Sequence, residues 1–350
     1  MGAQRPSNHE GVAWNQANMI DTPPRPRFVI VDIARGIAII AMIAYHLCWD
    51  LSYFRFISAD VGYDPQWVVI TRSILSAFLF LVGVGLVLGH GRAIRWRAFW
   101  KRWLLVLAGA LLITLGTFFA FPESFVYFGV LHAIALFSVL ALPFLLAPLW
   151  LPILVAISVI GAPLVYSNAL FNEKPWSWIG FWQVPPPAND LVPIFPWFGL
   201  VLAGIVATRL ILASSWSAKL GRINPGGRLP RVMAVMGRWS LLVYLLHQPL
   251  LLALIYPAAA IAQPQIAMRE ADFLGSCQST CVEGGTSAAL CTTYCQCGLK
   301  TIEDSDLWEA VYSGLLTAQE QTILDASNRR CSAVIYPELD VIAPADLPAP

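Results

Sequence analysis

The sequence predicts an all-α fold: a polytopic bundle of about seven transmembrane helices, followed by a small disulfide-rich helical appendage. Three observations support this prediction. Of the 350 residues, 57% are hydrophobic and only 12% are charged, which is typical of a membrane protein. Seven apolar stretches approach the roughly 20 residues that a helix needs to cross the hydrocarbon layer. All cysteines except Cys48 follow the last of these stretches.

The N-terminal residues 1–26 are rich in Pro, Asn and Gln and lack an early apolar core. We therefore expect a disordered cytoplasmic tail there and no cleaved signal peptide. The membrane domain is predicted over 27–260. Its predicted spans are 28–50, 66–89, 101–121, 126–147, 149–167, 191–213 and 233–258.

Basic residues identify the loops that we expect in the cytoplasm. They are concentrated in two stretches, 90–102 and 209–231. These residues are Arg92, Arg95, Arg97, Lys101 and Arg102, then Arg209, Lys219, Arg222, Arg228 and Arg231. The alternate loops 51–65, 122–125 and 168–190 carry little positive charge, so the positive-inside bias places them outside. The N-terminus is then cytoplasmic and the C-terminus extracytoplasmic, provided that 126–147 and 149–167 are two spans.

The six late cysteines include two Cys-x3-Cys pairs. Residues i and i+4 share a helix face, so the pairs predict a hairpin with bridges Cys277 to Cys295 and Cys281 to Cys291. Cys297 would pair with Cys331. Other pairings and a zinc site fit the spacing too. We favour disulfides because the loop charges place the appendage, 270–340, in an oxidising compartment.

Four ionisable residues interrupt the first apolar stretch: Asp32, Arg35, His46 and Asp50. On a helix they fall within an arc of roughly 60°, and the two acids lie about 27 Å apart along its axis. Such groups are costly in the hydrocarbon and usually line a path for substrate, ion or proton. A simpler alternative is that Asp32 and Arg35 only neutralise each other near the interface.

Other polar residues are predicted within the bundle. His132 lies near the outer end of its span and His247 in the outer half of its span, and with His46 they are candidates for one outer cavity. A lone buried histidine is more often structural. Arg72 and Arg238 are further candidates for binding the acyl donor. No His-x3-His spacing accompanies these residues, so we predict no metal.

Several motifs together resemble a known family. They are VDIARGIAIIAMIAYHLCWDL, with an Arg-x10-His pattern, FLFLVGVGLVL, YFGVLHAIALFSVL, PIFPWFGLVLAG and GRWSLLVYLLHQPL. Over about residues 26–257 the chain resembles the bacterial branch of the heparan-α-glucosaminide N-acetyltransferase catalytic-domain family. The resemblance implies a bacterial plasma-membrane enzyme, with its C-terminus in the periplasm. It would move an acetyl or acyl group from cytoplasmic acetyl-CoA to a sugar hydroxyl or amine outside.

The resemblance also implies roles for the stripe. Arg35, beside Asp32, would hold donor phosphates through its planar guanidinium. His46 would accept a proton from the attacking group, with Asp50 one turn on orienting it. His46 would alternatively carry the acyl group itself. In lysosomal members the position of His46 is Asn and the proposed catalytic histidine lies further along. Because residues 51–71 contain no histidine, His132 and His247 are the alternatives here.

The expected partners are membrane lipid, acyl-CoA and a glycan or lipid-linked sugar. A homo-oligomer is compatible with the sequence. A net charge of +1 with dispersed basic residues argues against nucleic acid. The rival function is a transporter or proton-coupled permease that uses the same stripe. Such proteins often contain paired half-repeats, and no repeat is evident here.

Overall fold

The computed structural model of the chain describes residues 28–91, 93–223 and 225–336. The predicted N-terminal tail and Arg92 lie outside these ranges. The described residues form α-helices and no β-strand, as the sequence predicts. The helices are α1 (Val29–Tyr53), α2 (Pro65–His90), α3 (Trp96–Ala120), α4 (Val130–Leu140), α5 (Leu142–Leu146), α6 (Trp150–Val165), α7 (Lys174–Ser177), α8 (Ile194–Ala213), α9 (Trp216–Arg222), α10 (Arg228–Arg238), α11 (Ser240–Ala262), α12 (Pro264–Glu283), α13 (Ala288–Asp304), α14 (Trp308–Ser313) and α15 (Ala318–Ser332).

Five of the described helices are long and apolar enough to cross a membrane: α1, α2, α3, α8 and α11. The chain is therefore a multi-pass membrane protein. The other two predicted spans correspond to shorter apolar helices. The stretch 126–147 becomes α4 and α5, which are separated at Ala141. The stretch 149–167 becomes α6, with 16 residues.

The loop before the first short segment and the loop that follows the second lie together at one end of the first unit. Phe128, before α4, forms an isolated bridge with Leu191, before α8. The Val192 amide donates to the Phe128 carbonyl at 3.0 Å, and the Asn189 amide donates to the Ser124 carbonyl at 2.8 Å. The chain between these loops therefore runs away from this end and returns to it, as two antiparallel passages would.

The last predicted span, 233–258, is divided. Trp239 separates α10 from α11, and α11 continues to Ala262. The predicted boundaries miss this break because the apolar residues of α10 occupy one face of an amphipathic helix. An amphipathic face raises local hydrophobicity without making a span.

Contacts divide the described residues into two units, and the first comprises residues 28–45 and 66–248. Its core includes Leu79, Phe137, Leu202 and Ile205, all with 0% of their surface exposed. Small residues bring its helices close together. A Cβ at Gly83 of α2 would overlap the Val201 carbonyl of α8. Close backbone approach at small residues is the usual basis of helix packing in membranes.

A second close approach joins α1 to α10. A Cβ at Gly36 would overlap the Met233 carbonyl, and a Cβ at Gly237 would overlap the Asp32 carbonyl. These two glycines fix the inner half of α1 within the first unit.

The second unit comprises residues 46–65 and 249–336. Its α12 and α13 form the predicted hairpin. The three predicted disulfides are confirmed: Cys277–Cys295, Cys281–Cys291 and Cys297–Cys331. A small core of Ile302, Leu307 and Trp308 lies beneath them. The predicted domain boundaries at 260 and 270 stay predictions.

Candidate functional site

The polar residues of α1 lie on its buried side. Asp32 has 9% of its surface exposed and Asp50 has none, while Arg35 and His46 are half-buried. Large apolar residues occupy the other side, where Ile37, Ile40 and Leu47 are exposed. The polar arc therefore faces protein, and the apolar arc faces outward, as a membrane helix requires.

Arg35 lies among residues of three helices. One of its guanidinium nitrogens is 3.9 Å from Asp32 Oδ1. A Cβ added at Gly85 of α2 would lie 2.5 Å from the other terminal guanidinium nitrogen of Arg35. Arg102 of α3 is near enough for the two positive charges to interact. Among the described residues, Arg35 and Arg102 place two positive charges near the one carboxylate of Asp32, an arrangement that suits an anionic group.

His46 and Asp50 belong to the second unit, four residues apart and thus on one face of α1. Arg35 belongs to the first unit, together with His132 and His247. The predicted cavity shared by the three histidines stays a prediction.

His132 takes part in a chain of hydrogen bonds at the start of α4. Its Nδ1 lies 3.3 Å from the Gly129 amide, which donates to it. Nδ1 is then unprotonated, so Nε2 carries the hydrogen and donates to Thr114 Oγ1 at 3.2 Å. Thr114 in turn donates to the Val126 carbonyl at 2.7 Å. Both ring nitrogens are engaged in holding α3, α4 and their loop together.

Asp190, in the loop before α8, contacts the same end of α4. Its Oδ2 accepts the Val130 amide at 2.7 Å, and its carboxylate lies against Gly129, where a Cβ would overlap it. Burial raises the pKa of Asp190 to about 6, although the hydrogen bond from Val130 opposes this shift. A carboxylate at a helix N-terminus is favourable because the first amides have no helical partners.

His247 is fixed by its own helix. It has 8% of its surface exposed, and its Nδ1 is 2.6 Å from the Tyr244 carbonyl. Because a carbonyl can only accept, Nδ1 carries the hydrogen and the lone pair of the neutral ring is on Nε2. Tyr244 is also close enough to Asp190 to interact electrostatically with it.

Two predicted donor-binding residues are less enclosed. Arg72, in the second turn of α2, and Arg238, at the end of α10, are both exposed. No carboxylate among the described residues forms a salt bridge with either of them. Within the same residues, no group of three or more His, Cys, Asp or Glu side chains could hold a metal ion.

Sequence reasoning missed Thr114, Asp190 and Tyr244, and it placed Arg102 only within a basic loop. Asp190 lies 60 residues from the amide that it accepts. The one local signal for it is an acidic residue immediately before a predicted span.

Comparison with known proteins identifies one match. The family model described as "Heparan-alpha-glucosaminide N-acetyltransferase, catalytic" matches residues 27–249, well over half of the chain. No curated protein and no solved structure matches the chain.

Proposed function

Because this chain belongs to the heparan-alpha-glucosaminide N-acetyltransferase catalytic-domain family, we propose that it transfers an acetyl or longer acyl group from acyl-CoA to a sugar hydroxyl or amine. At the family level the activity is acetyl transfer with acetyl-CoA as the donor. We further propose that donor and acceptor bind from opposite sides of the membrane. The donor binds from the cytoplasm and the acceptor from outside, in a bacterial plasma membrane whose periplasm contains the C-terminus.

The observation that carries the proposal is the buried polar side of α1. It presents an arginine near one end of a membrane-spanning helix and a histidine with a carboxylate near the other. Arg35 and His46 are separated by about 16 Å along the axis. A pantetheine arm is an extended chain that suits such a distance between phosphate and thioester.

The basic end supplies the donor site. Arg35 and Arg102 both offer planar guanidinium groups, which bind phosphate oxygens through paired hydrogen bonds. Asp32 limits the repulsion between the two arginines before the donor arrives. Arg238 is a secondary candidate in this role. Arg72 lies near the start of α2, beside the loop predicted outside, so its place as a donor-binding candidate is at the acyl end of the donor.

The other end supplies proton transfer. In the direct mechanism, the acceptor oxygen or nitrogen attacks the thioester carbonyl while His46 takes its proton. The C–S bond then breaks, a C–O or C–N bond forms, and the proton passes from His46 to the departing thiolate. Asp50, one turn further on, stabilises the imidazolium. In the alternative mechanism, the acyl group resides first on His46.

The other two histidines differ as alternatives. His247 offers a fixed tautomer with its lone pair on Nε2, which supports a role as base. His132 uses Nδ1 to accept the Gly129 amide, so adding a proton there would break that bond. This arrangement supports a structural role for His132.

The test uses purified full-length protein and acetyl-CoA with a radiolabelled acetyl group, with and without a panel of sugar acceptors. We expect label on the sugar or on the protein with wild type, and none with His46→Ala. Leu47→Ala is the matched control, since Leu47 is exposed on the same helix, and it should retain activity.

The outcomes separate the parts of the proposal. Activity retained by His46→Ala but lost in His247→Ala would move the base to His247. If wild type neither binds nor turns over acetyl-CoA, the donor assignment is wrong. Proton-coupled uptake assays in liposomes then test the transporter alternative.

A further inference from the structure

A cleft with a volume of about 330 Å³ opens at the C-terminal end of α1, within the second unit. Three aromatic residues line it, Tyr53, Phe54 and Tyr256, together with Arg55 and Gln265. Ligand sites commonly begin near this size and combine apolar walls with a few polar groups. The cleft is therefore large enough for one sugar ring with its substituents.

Two of its aromatic rings are largely exposed. Tyr53 and Tyr256 have 53% and 66% of their surfaces exposed, and Phe54 lies between them in edge-to-face contacts. Such rings offer apolar faces next to polar hydroxyls. A sugar ring, with apolar C–H faces and polar edges, matches that pattern.

Arg55 gives the cleft its charge. It has a φ of 63°, in the left-handed region that residues other than glycine rarely adopt. Backbone strain of this kind is concentrated at functional sites. The Arg55 Nε lies 3.4 Å from Asp272 Oδ2, so α12 holds the base of the guanidinium group while the side chain stays half-exposed. The remaining guanidinium donors suit an anionic oxygen.

More positive charge lies nearby. Arg269 stacks on Trp308 at 4.6 Å, and its carbonyl accepts the Tyr312 hydroxyl at 3.2 Å. Tyr312 interacts electrostatically with Arg55, Arg269 and Asp272 together. Arg269 thus adds a second positive charge beside Tyr312, close to the ion pair of Arg55 and Asp272.

The surroundings of the cleft are apolar. On α11, which carries Tyr256, Leu250 and Leu254 have 60% and 73% of their surfaces exposed. This helix is one of those long and apolar enough to cross the membrane, so these exposed side chains suit contact with lipid tails. On α1, Tyr53 follows His46 by about 10 Å along the axis.

We infer that this cleft binds the anionic head group of a lipid-linked sugar phosphate, with the lipid tail against the exposed apolar side of α11. This inference rests on the proposed function, for which the sugar is the acceptor. Helix α12 contributes Gln265 to the wall and Asp272 to the orientation of Arg55. Both residues follow position 249, where the family match ends, so this part of the cleft is an addition to the family domain.

The test measures binding without any acyl donor, by native mass spectrometry of the full-length protein in detergent. Three probes separate the features of the ligand: decyl glucosyl phosphate, neutral decyl glucoside, and glucose 1-phosphate without a tail. We expect wild type to bind the first at least about tenfold more tightly than the other two. Arg55→Gln should remove the preference for the charged probe, whereas Arg55→Lys should retain most of it.

Two variants at Tyr256 provide a second measurement. Tyr256→Ala should weaken both tailed probes about tenfold, whereas Tyr256→Phe should bind them like wild type. Lys300→Gln removes an exposed positive charge elsewhere in the same unit and should change nothing.

Three results would overturn the inference. Equal binding by Arg55→Gln and wild type would show that the cleft is not the site. Equal binding of glucose 1-phosphate would show that no lipid is recognised, and equal binding of decyl glucoside would show only detergent-like association. Failure of acetyl transfer, with binding intact, would refute the proposed function and leave the binding site standing.

Discussion

Asp190 is the residue whose ionisation is expected to affect folding most directly. Its pKa rises from an ordinary 3.8 to about 6 in the folded protein. Between these values the folded state binds a proton that the unfolded state has released. This contribution to stability is therefore fully present below about pH 4 and is lost as the pH rises through 6.

Replacing Asp190 with asparagine tests this pH dependence. Asparagine keeps an oxygen to accept the Val130 amide but cannot ionise. We expect the melting temperature of Asp190→Asn, relative to wild type, to increase between pH 4 and pH 6 and to stay level above pH 6.5. Thermal unfolding in nanodiscs across this range measures the difference. Parallel profiles for the two proteins would mean that Asp190 does not titrate there.

Thr114 connects His132 to the loop before α4. Thr114→Val removes the hydroxyl that accepts from His132 Nε2 and donates to the Val126 carbonyl. Because both groups then lose this hydrogen-bond partner, we expect a loss of about 1–3 kcal/mol in the free energy of unfolding. Thr114→Ser keeps the hydroxyl and should lose much less. Reversible unfolding in mixed detergent micelles measures both. A loss as large with serine as with valine would contradict the hydrogen-bonded chain.

The residues of the candidate site were predictable from sequence to different extents. The polar arc of α1 follows from helical periodicity, because the spacing of its four ionisable residues puts them on one side of a helix. The partners of His132 and Asp190 do not follow from it. These contacts join residues 18 and 60 positions apart, and they depend on how the loops fold over the helix ends.

At the scale of helices, glycines decide where two backbones touch. Gly83 contacts the Val201 carbonyl, whereas a Cβ added at Gly116 of α3 would meet nothing within 4 Å. Gly83→Ala should therefore lower the melting temperature, because α2 and α8 must separate. Gly116→Ala should raise it slightly, since alanine is the better helix former by about 0.5–1 kcal/mol. Heat-induced aggregation assays on the purified variants compare them, and equal shifts would argue against this crossing.

Helix boundaries also show the limits of sequence patterns. For α2, the predicted 66–89 agrees with Pro65–His90 because one apolar run ends at polar residues on both sides. The prediction for 126–147 overlooked two effects. A new helix begins at Leu142 with Pro143 in its first turn, and residues before Val130 are held in the loop by Thr114 and Asp190. The first effect is local, while the second depends on tertiary contacts.

For the whole chain, the disulfides predict how many cysteine thiols react before and after reduction. Three disulfides occupy six of them and leave Cys48 as the free thiol of the described residues. Protein denatured without reductant should react with one maleimide per chain, and after reduction with seven, the total number of cysteines. Intact-mass spectrometry gives both numbers. More than one labelled site before reduction would contradict the pairing.

Orientation is a second property of the whole chain. The loop charges predict that the C-terminus lies outside the cytoplasm. Alkaline phosphatase fused after Pro350 should therefore be active, and green fluorescent protein at the same position should be dark. The reverse result would invert the topology and, with it, the sides assigned to donor and acceptor.

The end of the family match at residue 249 falls inside α11, which continues without interruption to Ala262. Adding or removing one residue in this stretch would turn everything after it by about 100° about the helix axis and shift it by about 1.5 Å. Tyr256 would then leave its place beside Phe54. The length of this segment is consequently under stronger constraint than its composition, and insertions should be tolerated only in the loops that follow.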